Sequence, residues 1–219
     1  MSAAAVRGVK GIAFDWGGVF TVGTFDGRAI ERLAHLLELP VATVRTPYLE
    51  LMELFEIGAF DLPTFQARLS AELGRDADAD SFRGAFLDAA HERIATYALL
   101  PVIPDDYAVG VLSNNVPVLC DRVRDDARTA RVERFVFSNE IGVRKPDPAA
   151  YMALSEALQL APHEIVFVDD ATRNVVAAQS LGFQALLLDA PATFAARWRA
   201  TLPDLAHLVD GPGWSESDS

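Results

Sequence analysis

Four short stretches of this sequence place polar residues directly after, or in the loop following, apolar runs that are typical of buried strands. The polar residues are, in chain order, Asp15, Ser113 with Asn114, Lys145, and Asp169 with Asp170. Carboxylates can hold Mg²⁺, while an ammonium, a hydroxyl and an amide can neutralise and orient a transferring phosphoryl group. This set of residue types therefore favours phosphoryl chemistry, provided that the four stretches meet in space.

The elements between these stretches indicate how they could meet. The apolar runs that resemble strands are 9–14, 107–112, 134–137, 164–168 and 184–188. From the second run onward, a helical pattern lies between each run and the next. Such alternation of strands and helices predicts an α/β fold with a doubly wound parallel sheet. The carboxyl ends of its strands lie at one edge, where such sheets bind ligands. We therefore expect the polar residues to converge there.

The chain between the first and second strands breaks this alternation and contains only helical patterns. There are four of them, at 26–39, 42–58, 62–74 and 78–95. Asp61 and Pro63 are an N-cap signal and Gly74 is a C-cap signal for the third. The predicted organisation is an α/β core formed by 1–22 and 97–210, an inserted helical cap at 23–96, and a flexible tail at 211–219.

The composition excludes several classes of function. A net charge of −12 over 219 residues argues against binding to nucleic acid or to an anionic membrane surface. The single cysteine, Cys120, cannot form an intramolecular disulfide and is expected to be a buried core residue. No apolar run approaches the ~18 residues of a membrane span, and the N-terminal residues lack the apolar core of a signal peptide. We expect a cytoplasmic protein whose partner is a small molecule.

The residues alone suggest a mechanism. Asp15 could attack phosphorus to give an aspartyl-phosphate, which water then hydrolyses. Lys145 and Mg²⁺ would neutralise charge on the transferring group, and Ser113 with nearby backbone N–H groups would hold its oxygens. Each residue taken alone also fits a helix cap, a turn or a solvated side chain. Their occurrence at successive strand ends is what favours a shared site.

These stretches resemble the motifs of the haloacid dehalogenase (HAD) superfamily, whose members are mostly phosphatases. The matching residues are FDWGGV (14–19), VLSNN (111–115), GVRKPDP (142–148) and FVDDATRNVVAAQSLGF (167–183). The resemblance covers the core, and the inserted helices match the small helical cap of the family in placement and length.

The resemblance implies a set of roles around a metal ion. Asp15 would be the nucleophile and a metal ligand, and Asp170 would bind Mg²⁺ directly. Asp169 would be a second or outer ligand, and Gly17 would offer its backbone carbonyl to the metal.

The resemblance also implies how the phosphoryl group is held. Ser113 would bind the transferred group with Asn114 beside it, and Lys145 would steady both the nucleophile and the phosphate. Asn174 would order the loop and not touch the substrate.

Gly17 departs from the pattern of the family. Most of its phosphatases have a second Asp two residues after the nucleophile, acting as general acid and then base, a role that typically contributes ~10²–10⁴-fold. Some members with a DxGxV pattern are nonetheless regarded as phosphatases. Asp26, His35, Glu53 and Glu56 could reach the site from the helical insert, but their patterns predict solvated helix surface.

Three functions remain open at this point. The favoured one is a Mg²⁺-dependent phosphatase acting on a small phosphorylated metabolite, with sugar phosphates among the candidates. The first alternative is a 2-haloacid dehalogenase that uses Asp15 to displace halide from carbon; it would need no metal, whereas the Asp169–Asp170 pair suggests a cation. The second is a non-catalytic binding or regulatory protein that lost the general acid at Gly17.

Overall fold

A five-stranded parallel sheet forms the centre of this computed structural model. The structure describes residues 8–23, 25–88, 91–211 and 213–214. The strands are β1 (Gly11–Phe14), β2 (Ala108–Ser113), β3 (Arg134–Phe137), β4 (Ile165–Asp169) and β5 (Gln184–Leu187). Their order is β3-β2-β1-β4-β5, and all four pairings are parallel. The predicted doubly wound parallel sheet is confirmed.

Helices cover both faces of the sheet. In the part of the chain after β2 they are α6 (Pro117–Asp125), α7 (Ser138–Ile141), α8 (Pro148–Leu158), α9 (Thr172–Ser180) and α10 (Pro191–Thr201). Alternate residues of β1 enter different clusters: Ala13 packs in the cluster that contains Tyr151, and Ile12 and Phe14 in the one that contains Trp198. This alternation follows from the two-residue period of a strand and explains why β1 is apolar throughout.

The helices inserted between β1 and β2 share an aromatic core. They are α1 (Phe25–Leu36), α2 (Val41–Phe55), α3 (Leu62–Leu73) and α4 (Ala79–Leu87), followed by the short α5 (Ile94–Leu99). The Phe65 ring lies 5.0 Å from that of Phe55 and 6.2 Å from that of Phe82, and all three side chains are fully buried. Aromatic pairs at these distances are favourable beyond the area they bury.

The predicted caps of the third inserted helix are present. Asp61 Oδ1 accepts a hydrogen bond from the Thr64 N–H at 2.9 Å, and a proline occupies the first turn. Gly74 ends the helix with φ of 62°, in the left-handed region that glycine adopts at low cost. Local sequence signals therefore fixed both ends of α3.

The prediction of one helical pattern over 78–95 was wrong. α4 ends at Leu87 and α5 begins at Ile94. Glu92 instead forms an antiparallel bridge with Thr21, and the neighbouring backbone groups on both sides are hydrogen bonded at 2.7 and 2.8 Å. Pairing with a segment about 70 residues away overrides the local helical preference. A local sequence pattern does not reveal such long-range pairing.

The end of α2 is locked against the core of the molecule. The Ser138 hydroxyl, at the start of α7, donates to the backbone carbonyl of Glu56 and accepts from the Asn115 N–H at 3.0 Å. Two residues later Gly58 has φ of 73°, and a Cβ placed on it would lie 2.4 Å from the Asn139 carbonyl oxygen. Only a glycine therefore allows this approach between the helical insert and the core.

The structure also bears on the predictions made for Cys120, for membrane spans and for the C-terminal tail. Cys120 is buried as expected, and burial raises its thiol pKa to about 12. No helix in the described ranges is long and apolar enough to cross a membrane. Trp214, within the range predicted as a flexible tail, is buried and lies 5.1 Å from the Phe194 ring; residues 212 and 215–219 lie outside the described residues.

We expect Gly58→Ala to destabilise the protein more than Gly74→Ala does. Both substitutions place alanine in a left-handed conformation, at about 1–2 kcal/mol each. Only the first adds a collision with backbone, and such overpacking typically costs about 1–3 kcal/mol more, because a Cβ at Gly74 meets nothing within 4 Å. Urea unfolding of the two variants measures the difference, and equal losses would contradict the close contact at Asn139.

Candidate active site

The sheet brings the predicted residues to one edge. Phe14 is in register with Val111 of β2 and Val168 of β4, so Asp15, the next residue, lies between the ends of both neighbouring strands. The Asp15 N–H donates to the Val168 carbonyl at 2.8 Å. Because β1 is the central strand, its last polar residue is surrounded by the loops of β2 and β4.

The Lys145 ammonium links two of these carboxylates. Lys145 Nζ lies 3.0 Å from Asp15 Oδ1 and 2.7 Å from Asp169 Oδ2, and the residue is only 1% exposed. Burial alone would lower the pKa of Lys145, but the Asp15 and Asp169 carboxylates raise it above its ordinary value. The ammonium therefore stays charged in a buried position.

Asn114 fixes the backbone of this lysine. Its Oδ1 accepts from the Lys145 N–H at 2.8 Å, and its Nδ2 donates to the Lys145 carbonyl at 3.0 Å. The two hydrogen bonds tie the loop after β2 to the loop that carries Lys145. The side chain of Asn114 is thus used to hold the lysine in place.

Three carboxylates form a candidate metal site. Asp15, Asp169 and Asp170 each offer an oxygen within 4.8 Å of the other two, and this is the one group of three potential ligand side chains that close within the described residues. The two oxygens of Asp169 accept hydrogen bonds from Lys145, from Asn174 at 3.1 Å and from a backbone N–H. By contrast, no other described residue donates a hydrogen bond to the Asp170 carboxylate. Asp170 is therefore the more available ligand.

The cluster perturbs its own ionisation. Burial raises the pKa of Asp15 to about 7, the charge of Lys145 opposes this, and Asp169 and Asp170 add to it. Burial and the neighbouring Asp169 also raise the pKa of Asp170. Two buried acids and the half-buried Asp170 carry an excess of negative charge over the one lysine, which a divalent cation would relieve.

Two adjacent glycines shape the turn after Asp15. A Cβ at Gly17 would meet nothing within 4 Å, so the chain has open space there. Gly18 has φ of 75°, and a Cβ on it would lie 1.9 Å from Asp170 Oδ2. The glycine at 18 thus lets the turn approach the metal-site carboxylate, whereas the glycine at 17 leaves space beside it.

A cavity with a volume of about 180 Å³ opens at this edge. The core contributes Asp15, Asn114, Lys145 and Asp170 to its lining. The helical insert contributes Phe25, Asp26, Met52 and Glu56. Further polar and aromatic lining residues are Trp16, Asn115, Arg144, Arg173 and Asn174. A ligand in this cavity would touch both parts of the molecule.

The predicted site residues differ in their access to the cavity. Asp15, Gly17, Asn114, Lys145 and Asp170 line it. Asp169 and Ser113 are buried, at 0% and 1% exposure, and neither is among the lining residues in the described chain. The Ser113 hydroxyl lies 3.5 Å from the Asn114 carbonyl. Asn174, expected to order the loop and not touch the substrate, donates to both oxygens of Asp169 but also lines the cavity.

Two residues predicted as solvated helix surface were placed wrongly. Asp26 and Glu56 both line the cavity, and Glu56 is only 7% exposed. His35 and Glu53 are exposed as predicted. A helical pattern identifies which face of α1 or α2 is apolar, but it does not report that the end of α2 is packed against the loops of the sheet.

Several lining residues were not predicted, and two of them are direct neighbours in sequence of residues that were. Trp16 follows Asp15, and Arg144 precedes Lys145. Adjacency to a strand-end residue was the available signal, because short loops at one sheet edge expose several consecutive residues to the same space.

We expect Gly18→Ala to be destabilising and Gly17→Ala to be nearly neutral. Alanine at 18 costs about 1–2 kcal/mol in the left-handed conformation and displaces the Asp170 carboxylate. Alanine at 17 enters open space and should change the free energy of unfolding by less than about 0.5 kcal/mol. Chemical denaturation of both variants is the measurement, and an unaffected Gly18→Ala protein would show that the turn is not constrained as described.

Known proteins share this architecture. A family model for haloacid dehalogenase-like hydrolases matches residues 9–182. A phosphatase of Mycobacterium tuberculosis is 34% identical over 107 residues, which are 48% of this chain and 49% of that protein, so the chain spans about half the length of this curated relative.

Two solved structures share the fold at 22% sequence identity. A predicted HAD-like hydrolase of Porphyromonas gingivalis superposes with a TM-score of 0.72 over 93% of this chain and 99% of that one. A HAD family enzyme of Bacteroides thetaiotaomicron, in complex with magnesium and inorganic phosphate, gives a TM-score of 0.70 over 82% and 94%. Identity at this level shows the fold alone. With the family match over most of its length, the chain belongs to the haloacid dehalogenase-like hydrolases.

Proposed function

We propose that this chain is a Mg²⁺-dependent phosphatase that hydrolyses a small phosphorylated metabolite through an aspartyl-phosphate on Asp15. The observation that carries the proposal is the buried Lys145 ammonium, which contacts Asp15 and Asp169 beside the available Asp170 carboxylate. The M. tuberculosis relative is a phosphatase, and the B. thetaiotaomicron structure contains magnesium and inorganic phosphate. Both support the proposal.

Asp15 is prepared to act as a nucleophile. Its Oδ1 accepts from the Trp16 N–H at 2.7 Å and lies 3.0 Å from Lys145 Nζ. No described residue donates to Oδ2, which is therefore the oxygen left to attack phosphorus. The Lys145 charge favours the ionised carboxylate against the effect of burial, and attack requires that ionised form.

The donor set fits Mg²⁺. Hard oxygen ligands from Asp15, Asp170 and the Gly17 carbonyl would hold the ion. Asp169, whose oxygens already accept hydrogen bonds from Lys145 and Asn174, would be an outer ligand. When bound, Mg²⁺ supplies positive charge that stabilises the oxygens of the transferring phosphoryl group.

The remaining core residues would orient the phosphoryl group. Lys145 would place its ammonium against the phosphoryl oxygens as it does against Asp15. Ser113 would bind them through its hydroxyl, which requires the loop after β2 to expose it. Asn114 would act mainly through its two hydrogen bonds to the Lys145 backbone.

The helical insert would select the substrate. We infer that residues 23–96 form a cap over the strand ends, because Asp26, Met52 and Glu56 close the side of the cavity opposite the core residues. A cavity of about 180 Å³ at the strand ends favours a small metabolite as the substrate. Polar and charged groups on this wall favour a hydroxylated leaving group, as in a sugar phosphate.

The charge of the site argues against the first alternative. A 2-haloacid dehalogenase would use Asp15 without a metal, and three clustered carboxylates would then face one ammonium while an anionic haloacid bound among them. The non-catalytic alternative rests on Gly17 alone. It leaves the paired Lys145 and the open Oδ2 of Asp15 without a role.

We expect purified protein to release phosphate from small phosphate esters when Mg²⁺ is present, and Asp15→Asn to reduce this at least ~10³-fold because the nucleophile is lost. EDTA should abolish turnover, and beryllofluoride should inhibit it. Asp121→Asn, at a side chain 88% exposed, is the matched control.

Chloride release from short 2-haloacids in EDTA would instead establish the dehalogenase. Full phosphatase activity of Asp15→Asn would overturn the proposed mechanism, and Mg²⁺ binding without turnover across a broad ester panel would support the non-catalytic alternative.

A further inference from the structure

The proposed reaction needs a proton at a position that Gly17 does not supply. When Asp15 displaces an alkoxide from phosphorus, the departing oxygen must gain a proton, and the water that later cleaves the aspartyl-phosphate must lose one. Gly17 has no side chain, although the space beside it is open. General acid–base catalysis of this step therefore needs another group that lines the same cavity.

Only a few titratable side chains of the described residues line the cavity. Asp15, Asp170 and Lys145 are occupied as nucleophile, metal ligand and counter-charge. The remaining carboxyl groups are Asp26 and Glu56, both from the helical insert. Each has a pKa that burial raises, so each can hold a proton closer to neutral pH than an ordinary carboxyl group.

Hydrogen bonding separates these two candidates. Asp26 Oδ1 accepts from the Tyr48 hydroxyl at 3.2 Å, which engages that carboxyl within the helical insert. Glu56 is more buried; its Oε2 is charge-paired with Arg144 Nη2 at 3.0 Å, but no donor of the described chain meets this oxygen with hydrogen-bond geometry. A buried carboxyl oxygen that is charge-paired but not hydrogen bonded has acceptor capacity left for a donor on a ligand. Glu56 is therefore the better candidate to meet the substrate.

The backbone of Glu56 is held next to the core of the site. Its carbonyl accepts from the Ser138 hydroxyl, which is also bonded to Asn115 in the loop after β2. The close approach of Gly58 to Asn139 clamps the same turn. The side chain thus begins from a fixed position, as a proton-transfer group requires.

Two consecutive residues connect this carboxyl to the nucleophile. Lys145 Nζ lies 3.0 Å from Asp15 Oδ1, and Arg144 Nη2 lies 3.0 Å from Glu56 Oε2. One loop therefore supplies both counter-charges. Burial raises the pKa of Glu56 to about 7; Arg144 and Lys145 oppose this, and Asp26 and Asp15 add to it.

We propose that Glu56 is the catalytic residue that exchanges the leaving-group proton, an inference that rests on the proposed phosphatase function. In the first step the Asp15 oxygen forms a bond to phosphorus as the ester P–O bond breaks, and the departing oxygen takes the proton of Glu56. In the second step water bonds to phosphorus, gives its proton to the Glu56 carboxylate, and the bond to Asp15 breaks. Phosphate and alcohol leave, and both carboxyl groups are regenerated.

The test compares two small esters that differ in leaving group. Glycerol phosphate must release an alkoxide, whereas acetyl phosphate releases acetate, which is stable without a proton. Because kcat/KM reports the steps up to leaving-group departure, it isolates proton donation from the later hydrolysis. In Glu56→Gln we expect kcat/KM to fall ~100-fold or more for glycerol phosphate and to stay within about threefold for acetyl phosphate.

Glu53→Gln is the matched control. Glu53 is on the same helix and its Oε1 lies 3.6 Å from the same arginine, but it is 74% exposed and does not line the cavity. It should leave both values unchanged. Acetyl phosphate turnover by Glu56→Gln itself shows that the variant is folded.

The outcomes separate this inference from the proposed function. Equal losses on both esters, or no loss on either, would overturn the role of Glu56 while wild-type turnover that depends on Asp15 keeps the phosphatase intact. Failure of the wild-type protein to hydrolyse any ester would overturn both.

Discussion

The buried ammonium of Lys145 constrains the rest of the site. A charge removed from water is costly unless opposite charges and hydrogen bonds surround it, and here Asp15 and Asp169 provide them at 3.0 and 2.7 Å. These acids end β1 and β4, while the lysine lies in a loop that Asn114 of a third segment holds in place. The two ion pairs therefore require the parallel order of the strands, and loss of the Lys145 loop would leave both carboxylates without this counter-charge.

The contacts of Lys145 also distinguish the roles of Asp169 and Asp170. Asp169 is saturated by Lys145, Asn174 and a backbone N–H, so it serves as the rigid support of the cluster. Asp170 faces the cavity without such hydrogen bonds and is free to bind a cation. One lysine cannot balance three carboxylates, which is why the arrangement favours a divalent ion.

The sequence predicted the sheet and its edge because both depend on local patterns. Apolar runs followed by polar residues identify strand ends, and parallel order brings Asp15 and Asp170 together with no knowledge of loops. The break between α4 and α5 was not predictable in this way, since it depends on pairing of Glu92 with the distant Thr21. Nor was the burial of Glu56, which follows from how the helical insert packs on Ser138. Local sequence signals locate the residues of the α/β core, but the contacts between the helical insert and the core depend on tertiary packing and cannot be predicted from such signals.

This difference has a chemical consequence. The residues that would bind and attack the phosphoryl group are fixed by the sheet, whereas the carboxyl group of Glu56 reaches the cavity only while the end of α2 rests on the core. The contacts at Ser138 and Gly58 would then do more than stabilise the fold: they would set the distance between the proton donor and the ester oxygen. Proton transfer is steeply sensitive to such geometry. An insert that supplies both the selective wall and the proton would couple recognition of the alcohol to its release, because an alcohol that disturbed this packing would also displace the acid it needs.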